Sequence, residues 1–378
     1  MSALSGVIVA DFSRVLAGPL AAMTLGDLGA NVIKVEPPDG DETRSWLPPV
    51  DAEGRSTYFQ TANRNKRSLT LDLKTEEDRK LAFELVMRAD VLIENFRPGT
   101  MARFGLDWES VHAAHPSLVY CSITGFGEGP GATMPGYDPL IQALSGMMSI
   151  TGPPDGEASK VGVALVDVIA GLNASTGILA ALHDRKTLGS GQRVEINLLS
   201  TALAALANQS STWLNTGESP TRMGNVHPSI EPFSTFATAT GPIMICAGND
   251  RQFRQLAVTI GAPGLADDPR FGSNLDRVGN RDALREELER RLGLDSVEYW
   301  AEALKDAGVP AGAVNDIGGG FAMAESLGLV PVTEIDGART TSTPIRLSAS
   351  PPEKRLAPPA LDGHGDEIRA WLRAPRED

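Results

Sequence analysis

The chain has 378 residues, 42% of them hydrophobic and 22% charged, which suits a globular protein of about two domains. Its net charge of −14 argues against nucleic acid as a main partner, but leaves room for an anionic small ligand in a local basic pocket. Two cysteines, Cys121 and Cys246, lie in strand-like runs and point to reduced core residues rather than a disulfide. The N-terminal stretch lacks a basic segment followed by an apolar one, and no apolar run reads as long enough to span a bilayer. A soluble cytoplasmic protein with no membrane partner is therefore expected.

Val7–Asp11 reads as a strand, Ser13–Pro19 as a loop, Leu20–Leu28 as a helix and Asn31–Val35 as a second strand. This is a βαβ unit, the signature of a parallel sheet. The loop SRVLAGP holds one glycine, Gly18, and is not the G-x-G-x-x-G fingerprint. No P-loop occurs either, so nicotinamide, flavin and nucleotide triphosphate chemistry find no support. Pro37–Pro49 is a Pro-rich connection, and NRNKR leads into a strand at Ser68–Asp72. A helix follows with Thr75 as N-cap and Asp78 at the capping-box position. Val91–Asn95 is the next strand. Arg64, Lys66, Arg67, Arg97 and Arg103 form the most basic region of an acidic chain. They read either as a solvated face or as a phosphate-binding rim.

Leu118–Thr124 is a strand that opens into the glycine-rich loop GFGEGPGATMPGYD, with Tyr137 near its end and a helix expected over Pro139–Met148. Such loops let a ligand approach the backbone or act as lids. Arg193–Asn197 is a strand and Leu198–Trp213 a helix. Asn215–Pro232, including MGNVHP, reads as a linker into a second domain. There Ile243–Ala247 is a strand, Asp250 caps a helix over Arg251–Ile260, and helices follow near Asn280–Leu292 and Ser296–Ala307. Ala311–Val314 and Val330–Leu347 are strand-like, Pro351–Pro359 is extended, and Asp366–Leu372 is a terminal helix.

The central stretch is Val161–Arg185. It reads as a buried strand to Val166, then Asp167 as N-cap, then a helix from Val168 to about Lys186 closed by Gly189. Small residues at Ala170, Ala174, Gly177 and Ala181 let another backbone come close. At an N-cap, helix dipole and free N–H groups favour an ionised carboxylate. Asp167 is thus either a plain cap or, flanked by apolar residues, a nucleophile. The five histidines, His112, His115, His183, His227 and His364, show no metal-ligand spacing, and no G-x-S-x-G elbow occurs. No bound metal or permanent cofactor is expected.

In order, the chain carries DFSRVLAGP, LGDLGANVIKVEPP, NRNKRSLTLDLK, ENFRPGTMARFGL, SITGFGEGPG, PGYDPLIQALSG, GSGQRVEINLL, GNVHPSIEPF and DGHGDEI. With these blocks the sequence resembles the family III CoA-transferases, the group of formyl-CoA, carnitine and bile-acid CoA-transferases and the α-methylacyl-CoA racemases. The resemblance implies an α/β fold. Its large, doubly wound parallel-sheet domain comes from residues 1–214 and 330–378, and a smaller α/β domain from 215–329. It also implies an interlocked homodimer.

The implied activity is transfer of CoA from an acyl-CoA to a carboxylic acid, without ATP. Asp167 would attack the thioester carbonyl to give a mixed anhydride and then an aspartyl-CoA thioester, with Tyr137 beside it. Arg14, Val15, Ala17, Leu71, Asn95, Phe96, Arg103 and Phe104 match the family's CoA-binding positions, which makes the basic cluster a rim for CoA phosphates. Leu16 stands where some members carry a glutamine that contacts the acyl group. Gly224, Asn225 and His227 lie where a flap covers the site. A 2-methylacyl-CoA racemase is the main alternative. That branch has a histidine in place of Tyr137, and tyrosine, with a reference pKa of about 10, is a poor α-proton base near neutrality. A second alternative is a non-catalytic acyl-CoA-binding homologue. Arg14 or Arg222 would suit a substrate carboxylate.

Overall fold

A computed structural model describes residues 2–352 and 355–376 and divides the chain into two compact units. The first comprises residues up to 147, 160–218 and from 330 onward; the second comprises 148–159 and 219–329. Residues 148–159, read from sequence with the first unit, thus belong to the second.

The first unit is built on β1 (Ile8–Asp11), α1 (Ala17–Asp27), β2 (Asn31–Glu36), α2 (Thr57–Thr61), β3 (Lys66–Thr70), α3 (Glu76–Val86), β4 (Val91–Glu94), α4 (Trp108–Ala114) and β5 (Val119–Thr124). It continues through α5 (Asp138–Leu144), α6 (Leu165–Leu188), β6 (Arg193–Asn197), α7 (Leu198–Ala205) and α8 (Ala207–Thr216). The six strands form one sheet in the order β3-β2-β1-β4-β5-β6, and every neighbouring pair is parallel. Parallel strands need both faces covered, and their side chains alternate between the two. Val9, Val32, Val91, Val119 and Cys121 pack with α1 and α6, while Ala10, Ile33, Leu69, Leu92 and Tyr120 pack with α3 and α4 on the other face.

Three sequence readings change here. Residues 161–164 are not a strand: Val163 is 59% exposed, and α6 begins at Leu165. The expected single helix after β6 is two, because Ala207 takes φ 48°, a left-handed conformation that breaks the run. Helix α6 itself is long and apolar enough to cross a membrane by length and composition. Its Val166, Ala170, Ala174, Ile178 and Ala181 are instead buried against the sheet and α1. Gly171 makes that packing close. A Cβ there would lie 2.6 Å from the Ala17 carbonyl oxygen, so only glycine fits without a shift. Gly189, at φ 72°, closes the helix as its C-cap.

The second unit is an antiparallel sheet of β7 (Phe233–Ala237), β8 (Pro242–Cys246) and β9 (Ala311–Ala313). Its helices are α9 (Asp250–Thr259), α10 (Asn274–Gly279), α11 (Arg281–Leu292), α12 (Val297–Asp306) and α13 (Ile317–Ser326). Phe236, Ile245, Phe253, Leu284, Leu288, Trp300 and Leu304 form its core. Strand β7 and helices α10 and α13 had no counterpart in the sequence reading. Asp250 does not cap α9. Asn249 does, its side chain accepting from the Gln252 N–H at 3.0 Å, and Asp250 instead pairs with the fully buried Arg277 at 2.7 Å.

The chain then returns to the first unit with the hairpin β10 (Val332–Ile335) and β11 (Ala338–Thr341), followed by α14 (Gly365–Arg373). Ile368 and Leu372 of α14 are buried in the α3 face of the large sheet.

Candidate active site

The strand order reverses direction between β1 and β4. In open α/β sheets the crevice beyond the carboxyl ends of the strands at such a switch point is where ligands bind. A cavity lies there. The segment after β1 lines it with Arg14, Val15, Leu16 and Ala17, and the segment after β4 with Asn95, Phe96 and Arg97. Thr124 at the end of β5, Gly125 and Phe126 after it, and Leu198 after β6 also line it. Tyr137 and Asp167 line the same cavity.

Asp167 is the third residue of α6, not its N-cap. The N-cap, Ala164, has no side chain able to satisfy the first amides. Asp138, the first residue of α5, does so from outside the helix. Its Oδ2 accepts from the N–H groups of Val166 at 2.7 Å and Asp167 at 3.1 Å. Gln142, one turn along α5, donates to Asp138 Oδ1 at 2.6 Å and accepts from the Val161 N–H at 2.9 Å. This anchoring fixes the opening of α6, and with it Asp167.

It also sets the acidity of Asp167. Burial, then the Asp138 carboxylate, push its pKa up to about 7. The reading from sequence, that the helix start favours the ionised form, is therefore reversed. Asp138 already neutralises the positive end of the helix and adds a like charge beside it.

Tyr137 is 58% exposed and reaches the cavity rim. Arg14 is fixed through its backbone: its N–H donates to Asn95 Oδ1 at 2.8 Å, and Asn95 Nδ2 donates to its carbonyl at 2.7 Å. Its guanidinium lies 5.1 Å from the Phe96 ring centroid and 4.0 Å from a Glu42 carboxylate oxygen. Helix α1 opens with no side-chain cap and no acidic residue in its first turn. Its leading amides thus start at the cavity wall formed by Leu16 and Ala17.

Other expected site residues do not line this cavity. Leu71 is 2% exposed and part of the α3-side core, so its side chain presents no surface. Arg103 and Phe104 fall outside the cavity lining, Arg103 being exposed and bonded to Thr100. The basic rim is largely internal. Arg64 is buried and bonds Asp27 at 2.9 and 2.5 Å, Lys66 is fully buried and pairs with Asp11 at 2.9 Å, and Arg67 pairs with Glu367. Their charges are taken by acids of the fold. Of that cluster only Arg97 reaches the cavity.

Gly224, Asn225 and His227 belong to the second unit. The Gly224 N–H donates to the Gly152 carbonyl at 3.0 Å, and Asn225 donates to Thr235. His227 Nδ1 accepts from the Ser229 N–H at 3.1 Å, with its ring edge-on to Phe233. Arg222 is engaged by the carbonyls of Pro153 and Gly156 in the same unit.

Two residues that act on Asp167 or feel its charge escaped the sequence reading. Asp138 was visible only as the last letter of PGYD, because nothing local says that it caps a helix 28 residues away. Tyr58, on α2, does not line the cavity, but its phenol pKa is raised by burial and then by the charges of Asp167, Asp138 and Asp41. The Trp46 ring meets it edge-on at 4.8 Å.

A parallel sheet with a switch-point cavity and one partly buried carboxylate of raised pKa defines an enzyme-like site. Comparison with known proteins names the class. The model of CoA-transferase family III matches residues 4–365. Acetyl-CoA:oxalate CoA-transferase of Acetobacter aceti is 40% identical over 374 residues, covering 98% of this chain and 96% of that one. Succinate–glutarate CoA-transferase of Agrobacterium fabrum is 42% identical, covering 98% and 95%. A crystal structure of a CAIB/BAIF family protein from Brucella suis superposes with a TM-score of 0.90 at 44% identity, over 98% of this chain and 99% of that one. The chain belongs to CoA-transferase family III.

Proposed function

We propose that the protein moves CoA from an acyl-CoA thioester to a dicarboxylic acid, through covalent intermediates on Asp167. The observation that carries the reading is a carboxylate of raised pKa, Asp167, in a cavity that also holds an arginine, Arg14. Ionised Asp167 attacks the thioester carbonyl, a C–O bond forms, the C–S bond breaks, and CoA leaves as thiolate. The thiolate then attacks the aspartyl carbonyl of this mixed anhydride, releasing the donor acid and leaving an aspartyl-CoA thioester. The acceptor carboxylate attacks that thioester in turn. The second anhydride is opened by the returning thiolate at the acceptor's carbonyl, which restores Asp167. A carboxylate with a pKa of about 7 is a stronger nucleophile than an ordinary aspartate, yet still partly ionised at neutrality. It also lies within about two units of a thiol, whose reference value is about 8.5, so neither leaving group dominates the exchange.

Arg14 is the residue we assign to the second carboxylate of the acid. It faces the cavity with its backbone fixed, and its Nε has no hydrogen-bond partner. Relatives named for oxalate and glutarate support a dicarboxylic class. Leu16, Val15, Ala17, Asn95 and Phe96 would form the wall along the CoA chain, with Arg97 toward its phosphates. Helix α8 buries none of its residues, and Trp213 and Leu214 stand 54% and 71% exposed, which supports a homodimer in which a second copy covers them.

The test is a transfer assay with succinyl-CoA against oxalate, glutarate and a monocarboxylic acid of equal length. Dicarboxylic acids are expected to be preferred, and Arg14→Leu to raise their KM about 10–100-fold while leaving the monocarboxylic acid unaffected. Equal KM values for both classes in wild type would contradict the assignment.

A further inference from the structure

Beneath the cavity lie two buried ion pairs that the chemistry above does not use. Lys66 Nζ donates to Asp11 Oδ2 at 2.9 Å, and Lys34 Nζ donates to Asp41 Oδ2 at 2.9 Å. The exposure of Asp11, Lys34 and Lys66 is 0% and that of Asp41 is 1%. Charge buried so completely is a poor source of stability, since apolar residues of similar size commonly serve as well. What both pairs share is where they end. Asp11 Oδ1 accepts from the Ser13 N–H at 3.0 Å and from its hydroxyl. Lys34 also donates to the Ser13 carbonyl at 3.0 Å, and Asp41 Oδ2 accepts from the Val15 N–H at 3.3 Å.

These bonds converge on the segment joining β1 to α1, and that segment is strained. Val15 has φ 69°, a left-handed conformation that a β-branched residue rarely takes. Such backbone persists only where its surroundings over-determine it. Here they do. Asp41 is fixed by the Thr43 N–H at 3.0 Å and the Thr43 hydroxyl at 2.8 Å, and its own N–H donates to Glu36, which Arg44 and Ser68 hold. The turn at Val15 decides how α1 begins, and Leu16 and Ala17 line the cavity with Asp167. Ala17 is also the residue whose carbonyl sits against Gly171, one turn beyond Asp167 on α6.

We propose that the Lys34–Asp41 pair is a positioning device for CoA transfer: it holds Val15 in the left-handed conformation, and so sets the start of α1 against Asp167. The inference rests on the reading of Asp167 as the reacting carboxylate. Neither residue of the pair lines the cavity. Both act through the Val15 N–H and the Ser13 carbonyl. The two pairs run side by side, so Lys66–Asp11 holds one end of the segment while Lys34–Asp41 holds the strained end.

The test combines three variants with two readouts. Asp41→Asn is expected to lower kcat for CoA transfer at least tenfold with a smaller change in acyl-CoA KM, and to speed amide hydrogen exchange at residues 13–17 by a similar factor. In Asp41→Asn/Val15→Gly the glycine takes φ 69° without strain. It is expected to recover most of the lost kcat without recovering thermal stability, an outcome that a merely structural role would not produce. Should Asp41→Asn fail to fold, Lys34→Met/Asp41→Leu replaces the pair by apolar residues, and is expected to fold but to show the same loss of kcat and the same faster exchange. Wild-type kcat and unchanged exchange in the folded variants would overturn the proposal. A wild-type protein with no transfer activity would instead overturn the functional reading, and exchange at residues 13–17 would still decide whether the clamp exists.

Discussion

Asp167 holds a charge that its surroundings resist, and Asp138 is the neighbour responsible for part of that resistance. In the proposed mechanism the ionised form of Asp167 reacts, so the rate of transfer is expected to rise with pH through about 7. Asp138→Asn removes the like charge while keeping one oxygen to cap α6. The acidic limb of the pH–rate profile should then move toward lower pH. A limb that stays in place would mean that burial alone raises Asp167.

The same shift has a stability consequence. Below the ordinary carboxylate range Asp167 is protonated whether the chain is folded or not. As pH rises from 3.8 through about 7, the folded chain holds its proton longer than the unfolded one, and stability falls. Asp167→Asn should therefore stabilise the protein at pH 8, by about 1–3 kcal/mol, and hardly at all at pH 4. Thermal melts of both proteins across that range check the sign.

Among the elements, helices α1 and α6 form the contact on which the site depends, and Gly171 allows it. Gly171→Ala gains helix propensity but drives a methyl to 2.6 Å from a backbone oxygen, a contact that no side-chain rotation relieves. Overpacking of about 1–3 kcal/mol should exceed the gain of about 0.5–1 kcal/mol, so a net loss of stability together with activity is expected. Gly320 in α13 has open space where a methyl would go, with no heavy atom within 4 Å, and is the control: Gly320→Ala should stabilise slightly. Denaturant midpoints of the two variants should move in opposite directions.

At this scale the limits of the sequence also show. Strands β1, β4 and β5 were legible because a strand buried on both faces is mostly apolar. Val161–Val166 is apolar too, yet it is not a strand, because its backbone partners are the Gln142 side chain and not a neighbouring strand. Lys66 was read as part of a basic rim, yet both Lys34 and Lys66 are fully buried on the sheet. Their partners Asp41 and Asp11 stand 7 and 55 residues away, and no local pattern records such a pairing.

For the molecule as a whole, the parallel sheet brings segments separated by more than 150 residues to one edge, so Arg14, Asn95, Tyr137 and Asp167 share a cavity. Asp167 could be singled out beforehand as a carboxylate at a helix start between apolar flanks. Its companion Asp138 could not, since capping between helices depends on packing. The second unit keeps Asp250 in an ion pair with Arg277 and His227 in local bonds, so both have structural partners there.

The most direct measurement is intact-protein mass spectrometry after incubation with succinyl-CoA, for wild type and Asp167→Ala. A CoA-sized adduct that hydroxylamine removes, present in wild type and absent from the variant, is the expected result. Wild-type protein that binds the thioester and turns it over without any covalent adduct, or an adduct that survives in Asp167→Ala, would contradict the role given to Asp167.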